Sequence, residues 1–398
     1  MKEKERFIIL RSLPKKPVLP QNYSLGSFRT FVEAPEDSEI KIEVEELSQE
    51  NIAKTMQHND VIAVAPSIPM GLIKPVNSLT MASTMTATAT WGIEALEANT
   101  SPCTGNGVVV GVLDTGIDEK HTAFSGVQLT IKDFTGEGSG DQNGHGTHCA
   151  GTIFGQKING LRIGVATGIK KAIIGKVIGK NGGSSEKIAE AMQWAVGQGA
   201  QIISMSLGID FPGLVKHLES NGMPTELATS KALEGYRSNI FLFESLCNFI
   251  LAKRQSSPGT IIIAAAGNES RRDLHPDYKI SVSPPAVSKG IISVGALAQK
   301  SSMYEIAPFS NTGVMISAPG VDIISAEAGG NLRKMSGTSM ATPHAAGVAA
   351  LWAEQLMKQG MLSSYQLTAK LLASGTAKSI SSGFDPADIG GGLIKAPQ

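Results

Sequence analysis

Beyond Trp91, runs apolar at nearly every position recur along the chain: VVVGVLD at 108 to 114, KKAIIGKVI at 170 to 178, AQIISMSLG at 200 to 208, TIIIAAAGN at 260 to 268 and GIISVGA at 290 to 296. Strands of this kind bury both faces, and helical stretches such as Glu186 to Gly197 and Met340 to Gln359 separate them. The pattern predicts an α/β fold, a mostly parallel central sheet with helices on both faces. The start of the chain is different. In IKIEVEEL, Ile40, Ile42 and Val44 alternate with charged residues, the period of a half-buried strand. A short helix capped by Ser48 follows, and NDVIAVAPSIPM resumes strand character. Residues 1–70 therefore read as a small α+β domain, 71–90 as a linker of small and hydroxylated residues, and 91–398 as the main domain. Within 209–259, Thr225 to Lys253 has a helical pattern carrying Leu227, Leu233, Ile240, Leu242, Phe243, Leu246, Phe249 and Ile250.

Composition narrows the partners. The chain has 398 residues with 35 basic and 35 acidic side chains, so nothing in its charge balance suggests a footprint for nucleic acid or anionic lipid. Peptides, proteins or small molecules remain. No apolar stretch approaches the roughly 18 residues of a membrane span, because FLFESLCNFILA is broken by Glu244 and Asn248. Cys103, Cys149 and Cys247 include no CxxC, which fits a reducing compartment. As written, the chain is expected in the cytoplasm and as a monomer; removal of a leader would make it a secreted protein.

In such sheets, chemistry collects at the C-terminal strand ends. Asp114 closes VVVGVLD and by itself reads more readily as a turn or cap residue than as a catalyst. His145 stands between two glycines in DQNGHGTHCAG, which predicts an accessible ring. Ser339, in SGTSMATPH, sits at a helix start and alone reads equally as a cap. Together they supply carboxylate, base and nucleophile in the chain order Asp, His, Ser.

LDTGID, NGHGTHCAGT and GTSMATPHAAGVAAL resemble the three signature blocks of the subtilisin-like serine proteases, over about residues 86 to 398. The resemblance implies catalysis by Asp114, His145 and Ser339, with Asn268 of AAAGN as the oxyanion-hole side chain. It implies a substrate strand held between Ser206, Leu207, Gly208 and Gly182, Gly183, Ser184, with Ala265 and Gly267 near the pocket. Ser283 and Pro284 at the pocket floor suggest an apolar or medium-sized residue before the cut. Pro343 is expected in the first turn of the Ser339 helix. Residues 1–70 resemble an inhibitory propeptide, with self-cleavage between Met70 and Ala89 and Met85–Thr86 as the aligned bond. No cofactor is required. Calcium is conceivable as a structural ion, but the usual strong site is expected to be absent because Ala123 replaces a ligating aspartate and Lys157 and Arg162 flank the companion loop. Cys149 is expected as a small buried thiol beneath His145, and 209–259 is about twice the usual length, either a surface helix or a lid. Two other classes compete: a binding module that keeps the fold without turnover, and a metal-dependent hydrolase using His145 and His148, for which HGTHC would add Cys149 but no remote fourth ligand is evident.

Overall fold

The computed structural model describes residues 4–14, 38–81, 87–252 and 259–398. The N-terminal part contains β1 (Glu5–Pro14), β2 (Ser38–Leu47), α1 (Gln49–Met56) and β3 (Val61–Pro66). These strands form an antiparallel sheet in the order β2-β1-β3. The run from Phe7 to Leu10 lies in the middle strand, β1. Its alternation decides the packing. Phe7 and Ile9 meet Leu47 and, through Ile52, the helix α1, while Ile8 and Leu10 enter a core shared with the main domain. Ser48 stands at the α1 cap position, but its backbone carbonyl rather than its side chain takes the Ile52 amide.

Two short strands follow, β4 (Pro69–Leu72) and β5 (Asn77–Met81), so part of the expected linker is paired backbone. The physical reason is that its carbonyls and amides find partners on the edges of the main domain. Met85–Thr86 lies outside the described residues.

The main domain runs through α2 (Trp91–Ala95), β6 (Val109–Asp114), β7 (Gln128–Asp133), α3 (His145–Phe154), β8 (Lys171–Lys176), β9 (Gly183–Ser184), α4 (Ser185–Gly197), β10 (Ile202–Met205) and β11 (Leu207–Gly208). Next come α5 (Phe211–Ser220), α6 (Thr225–Ala252), β12 (Ile261–Ala265), β13 (Ile291–Lys300), β14 (Met303–Ile306), β15 (Ile316–Pro319), β16 (Ile323–Ala326) and β17 (Leu332–Ser336). The chain closes through α7 (Thr338–Lys358), α8 (Ser364–Ala373) and α9 (Pro386–Ile389). The central sheet has the order β14-β13-β12-β10-β6-β8-β7, with β15 also on β13; all its pairs are parallel except β13–β14. Alternate residues divide between its faces. Val110 and Val112 join the core that holds Cys149, Ala150 and the buried residues of α7, whereas Leu113 joins Ile188, Met192, Leu242 and Leu246 from α4 and α6. The 209–259 segment thus forms two helices. The longer, α6, packs on the sheet and also against the N-terminal domain, where Asn239 Nδ2 donates to Pro66 O at 2.9 Å and Lys231 pairs with Glu5 at 2.8 Å. Among the described residues no helix is long and apolar enough to cross a membrane.

Candidate active site

β6 delivers Asp114 at its C-terminal end, and Asp114 Oδ1 receives both the Thr115 amide and His145 Nδ1, each at 2.8 Å. His145 opens α3. Its glycine neighbour Gly146 lies so close to Gly116 that any Cβ would collide with the Gly116 backbone. The glycines therefore press the histidine helix against the aspartate turn. His145 is fully buried, contrary to the accessible ring that the sequence suggests. Burial opposes charge on this ring, but the adjacent Asp114 carboxylate overrides it and holds His145 well above the usual histidine value. Cys149 Sγ lies 3.7 Å from His145 Nδ1; burial pushes this thiol up, so it stays neutral. His148 turns away, its Nε2 facing the Ile323 and Arg333 carbonyls, and burial lowers it to about 3. Among the described residues the one group with three possible metal-ligand side chains within reach is Asp114, His145 and Cys149. A metal there would have to take His145 Nδ1 from Asp114, and His148 contributes nothing to it.

Ser339 lies in the first turn of α7, where backbone amides lack intrahelical acceptors. Pro343 is one turn further in than expected, inside the helix rather than in its first turn. Lacking an N–H, it cannot bond the Ser339 carbonyl. That carbonyl instead receives Ser206 Oγ at 3.2 Å and faces Cys149 Sγ at 3.4 Å, tying the serine to the cleft edge and to α3. Asn268 follows β12. Its Oδ1 accepts the Thr338 amide and hydroxyl at 2.8 and 2.9 Å, which turns Nδ2 into the cleft. Gly337 leaves room for this amide, since a Cβ there would come within 2.9 Å of Nδ2.

The cleft is filled by the chain itself. β4 lies antiparallel between β11 and β9, with Gly71 opposite Gly208, Leu72 opposite Leu207, Met70 opposite Gly183 and Pro69 opposite Ser184. Gly182, at the turn beside β9, adjoins the Met70 carbonyl. Ile73 N donates to Ser206 O at 3.4 Å, and the Ile73 side chain, 5% exposed, lies beside Gly208. Ser339 Oγ donates to Ile73 O at 3.0 Å, while Asn268 Nδ2 donates to the next carbonyl, Lys74 O, also at 3.0 Å. His145 Nε2 has no hydrogen-bond partner. A cavity of about 870 Å³ beside this segment is lined in part by Gly208, Asn268 and Ser283. Ala265 and Gly267 lie one layer behind. Ala265 is buried at the end of β12, and Gly267 donates to Thr338 Oγ1, because both belong to the stem that carries Asn268.

The profile of the subtilase family matches residues 105–385. The chain belongs to the subtilase family. Similar subtilases include the thermostable alkaline protease of Halalkalibacterium halodurans, 34% identical over 67% of this chain and 63% of that protein. Subtilisin-like protease 6 of Trichophyton verrucosum is 28% identical over 86% of this chain and 74% of its own length. The M-protease of Shouchella clausii is 32% identical over 68% of this chain and 60% of its own. The chain thus spans less than two thirds of the two bacterial relatives.

Sequence reasoning missed two parts of this subtilase site. Asp141 takes the Thr115 hydroxyl at 2.9 Å and the Gly144 amide at 2.8 Å on one oxygen, and the Thr147 amide and hydroxyl at 2.8 and 2.6 Å on the other. These bonds clamp the Asp114 turn to the start of the His145 helix, and together they hold its carboxyl below the usual aspartate value although burial opposes this. Ile73 was missed as well. The only signal in the sequence was strand character that runs into APSIPMGLI.

Proposed function

We propose that this subtilase is a serine endopeptidase made as a self-inhibited precursor, and that its first substrate is its own Ile73–Lys74 bond. The observation that carries the reading is β4 in the cleft, with the Ile73 carbonyl on Ser339 Oγ and the Ile73 amide on Ser206. The neighbouring Lys74–Pro75 bond fits less well, because a proline fixes its own φ and restricts the residue before it. In the reaction, Ser339 Oγ attacks the carbonyl carbon and passes its proton to His145 Nε2. Asp114 keeps Nδ1 protonated and stabilises the imidazolium. Asn268 Nδ2 and the Ser339 amide hold the oxyanion. Collapse expels the amine, which takes the proton from His145, and water then releases the acyl group by the same route.

The resting arrangement is one carbonyl away from this. The serine proton is engaged by Ile73 O, the oxyanion donor by Lys74 O, and His145 Nε2 is idle. A small slide of the segment is needed before attack, which supports inhibition in the precursor. The N-terminal domain serves as the inhibitor, with β1, β2 and β3 contacting α4 and α6. Arg6 grips Glu186 with two bonds of 2.7 and 2.6 Å, and Gln193 donates to Ile40 O at 2.7 Å. The reaction requires no cofactor, and no calcium ion is assigned to the turn at Ala123. Protein substrates follow from this reading, with a buried aliphatic residue before the cut. A fluorophosphonate probe tests it. Labelling of the matured enzyme at Ser339, resistant to chelator, is expected; absence of labelling in a folded, cleaved chain would favour a binding module, and chelator-sensitive turnover without labelling a metal hydrolase.

A further inference from the structure

On the far side of the bond over Ser339, the chain does not leave the surface. Val76 N donates to Ser336 O at 2.8 Å, and β5 then pairs antiparallel with β17 along its whole five-residue length, from Asn77 opposite Ser336 to Met81 opposite Leu332. β17 is an edge strand apart from this pairing, since its other side is taken by β16. It also runs directly into Gly337 and the Ser339 helix. The cleft therefore continues as a second strand-binding edge. Pro69–Leu72 is held between β11 and β9 before the cut, and Asn77–Met81 is held on β17 after it.

We propose that the β17 edge is a substrate-binding strand for the leaving side of the polypeptide, so that the enzyme selects extended, unfolded segments reaching well past the cut. The inference rests on the peptidase reading above and adds a specificity determinant to it. The recognised chemistry is backbone, the mode in which a strand is added to an open edge and main-chain hydrogen bonds supply the affinity. Side chains alternate to the two faces of such an added strand, so selectivity for any one residue should be weak. The protein's own β5 is the first occupant. After cleavage it remains tethered through the main domain, and its high local concentration makes it a competitor that an incoming substrate must displace.

Peptides with the sequence of Ile68 to Val76, of Ile68 to Met81, and of Ile68 to Met81 extended by a Gly-Ser tail test this on the matured wild-type enzyme and on matured Leu79→Pro. Proline in β5 removes an amide and weakens its ladder without touching β17. The expected result is a kcat/KM on the order of tenfold higher for the peptide ending at Met81 than for that ending at Val76, with no further gain from the tail. The gain should be larger in Leu79→Pro, where the tethered competitor is weakened. N-methylating alternate amides between Asn77 and Met81 adds a signature: one of the two alternate sets should abolish the gain and the other preserve it, because only every second amide of a strand faces its neighbour. Equal rates for all three peptides in both enzymes would overturn the proposal and leave the peptidase reading intact. Equal loss from both N-methyl sets would also overturn it, pointing to side-chain contacts instead. Failure to cleave any peptide would count against both readings.

Discussion

Asp141 shows what a single residue contributes without touching substrate. Its two oxygens join the turn after Asp114 to the first turn of α3, the two elements that bring His145 to 2.8 Å from Asp114. Asp141→Ala is expected to lower kcat on the order of 10²-fold with KM little changed, the usual scale for about an ångström of misplacement. An unchanged kcat in a folded variant would remove it from the positioning scheme. Asn268→Leu is expected to lower kcat by about 10²- to 10³-fold, the typical loss for one oxyanion donor. The buried histidines have opposite signs. Burial lowers His148 to about 3 and His344 to about 4, so below about 6.5 the unfolded chain binds protons that the folded chain refuses. These two cost stability as pH falls from about 6.5. His145 is raised, so its contribution is present below the ordinary histidine value and is lost as pH rises through the raised one. NMR titration of the Ser339→Ala precursor should find the His148 and His344 rings neutral at pH 5 and His145 titrating above 6.5; a His344 midpoint near that ordinary value would contradict this. Asp114, His145, Ser339 and Asn268 were legible because each stands in a short motif whose wording carries its chemistry. Ile73 was not, because its meeting with Ser339 spans 266 positions of sequence and depends on tertiary placement.

At the scale of elements, period and burial were readable and partners were not. The pattern of Thr225 to Lys253 predicts a helix, and α6 is that helix, but an apolar stripe does not say what it will cover. The structure gives it two contacts, one with the central sheet and one with the N-terminal domain. Asn239, fully buried, sits at the second contact and donates to both Pro66 O and Gly235 O at 2.9 Å. Asn239→Ala is expected to weaken the hold by about 1 kcal/mol, which means a several-fold earlier onset of activity after self-cleavage. Onset at the wild-type time, measured by peptide hydrolysis in a folded variant, would show that α6 does not hold the domain through this residue. The strands β4 and β5 were hidden for another reason. They are short, lie among small and hydroxylated residues, and are stabilised by edges supplied from elsewhere in the chain, so no local periodicity announces them.

Across the whole molecule, the N-terminal domain and the catalytic domain share one buried core. Ile8, Leu10, Ala65, Ile68 and Met70 lie in the same cluster as Ile188, Met192, Leu242 and Leu246. A shared core couples their unfolding, so Ser339→Ala precursor is expected to melt in one cooperative transition, whereas two well-separated transitions in calorimetry would show that the domains are energetically independent. The division into a small α+β unit and a large α/β unit was visible in the change of period near Trp91. That the join between them threads the cleft is implied by the propeptide resemblance and not by period or composition; the structure has it as β4 between β11 and β9. The most direct test of this arrangement is intact-mass spectrometry of purified wild type beside Ser339→Ala. The account predicts a wild-type cut after Ile73, leaving a main fragment that begins at Lys74, and an uncut Ser339→Ala chain. Equal cleavage of both proteins, or a first wild-type cut at Met85–Thr86 with Ile73–Lys74 intact, would contradict it.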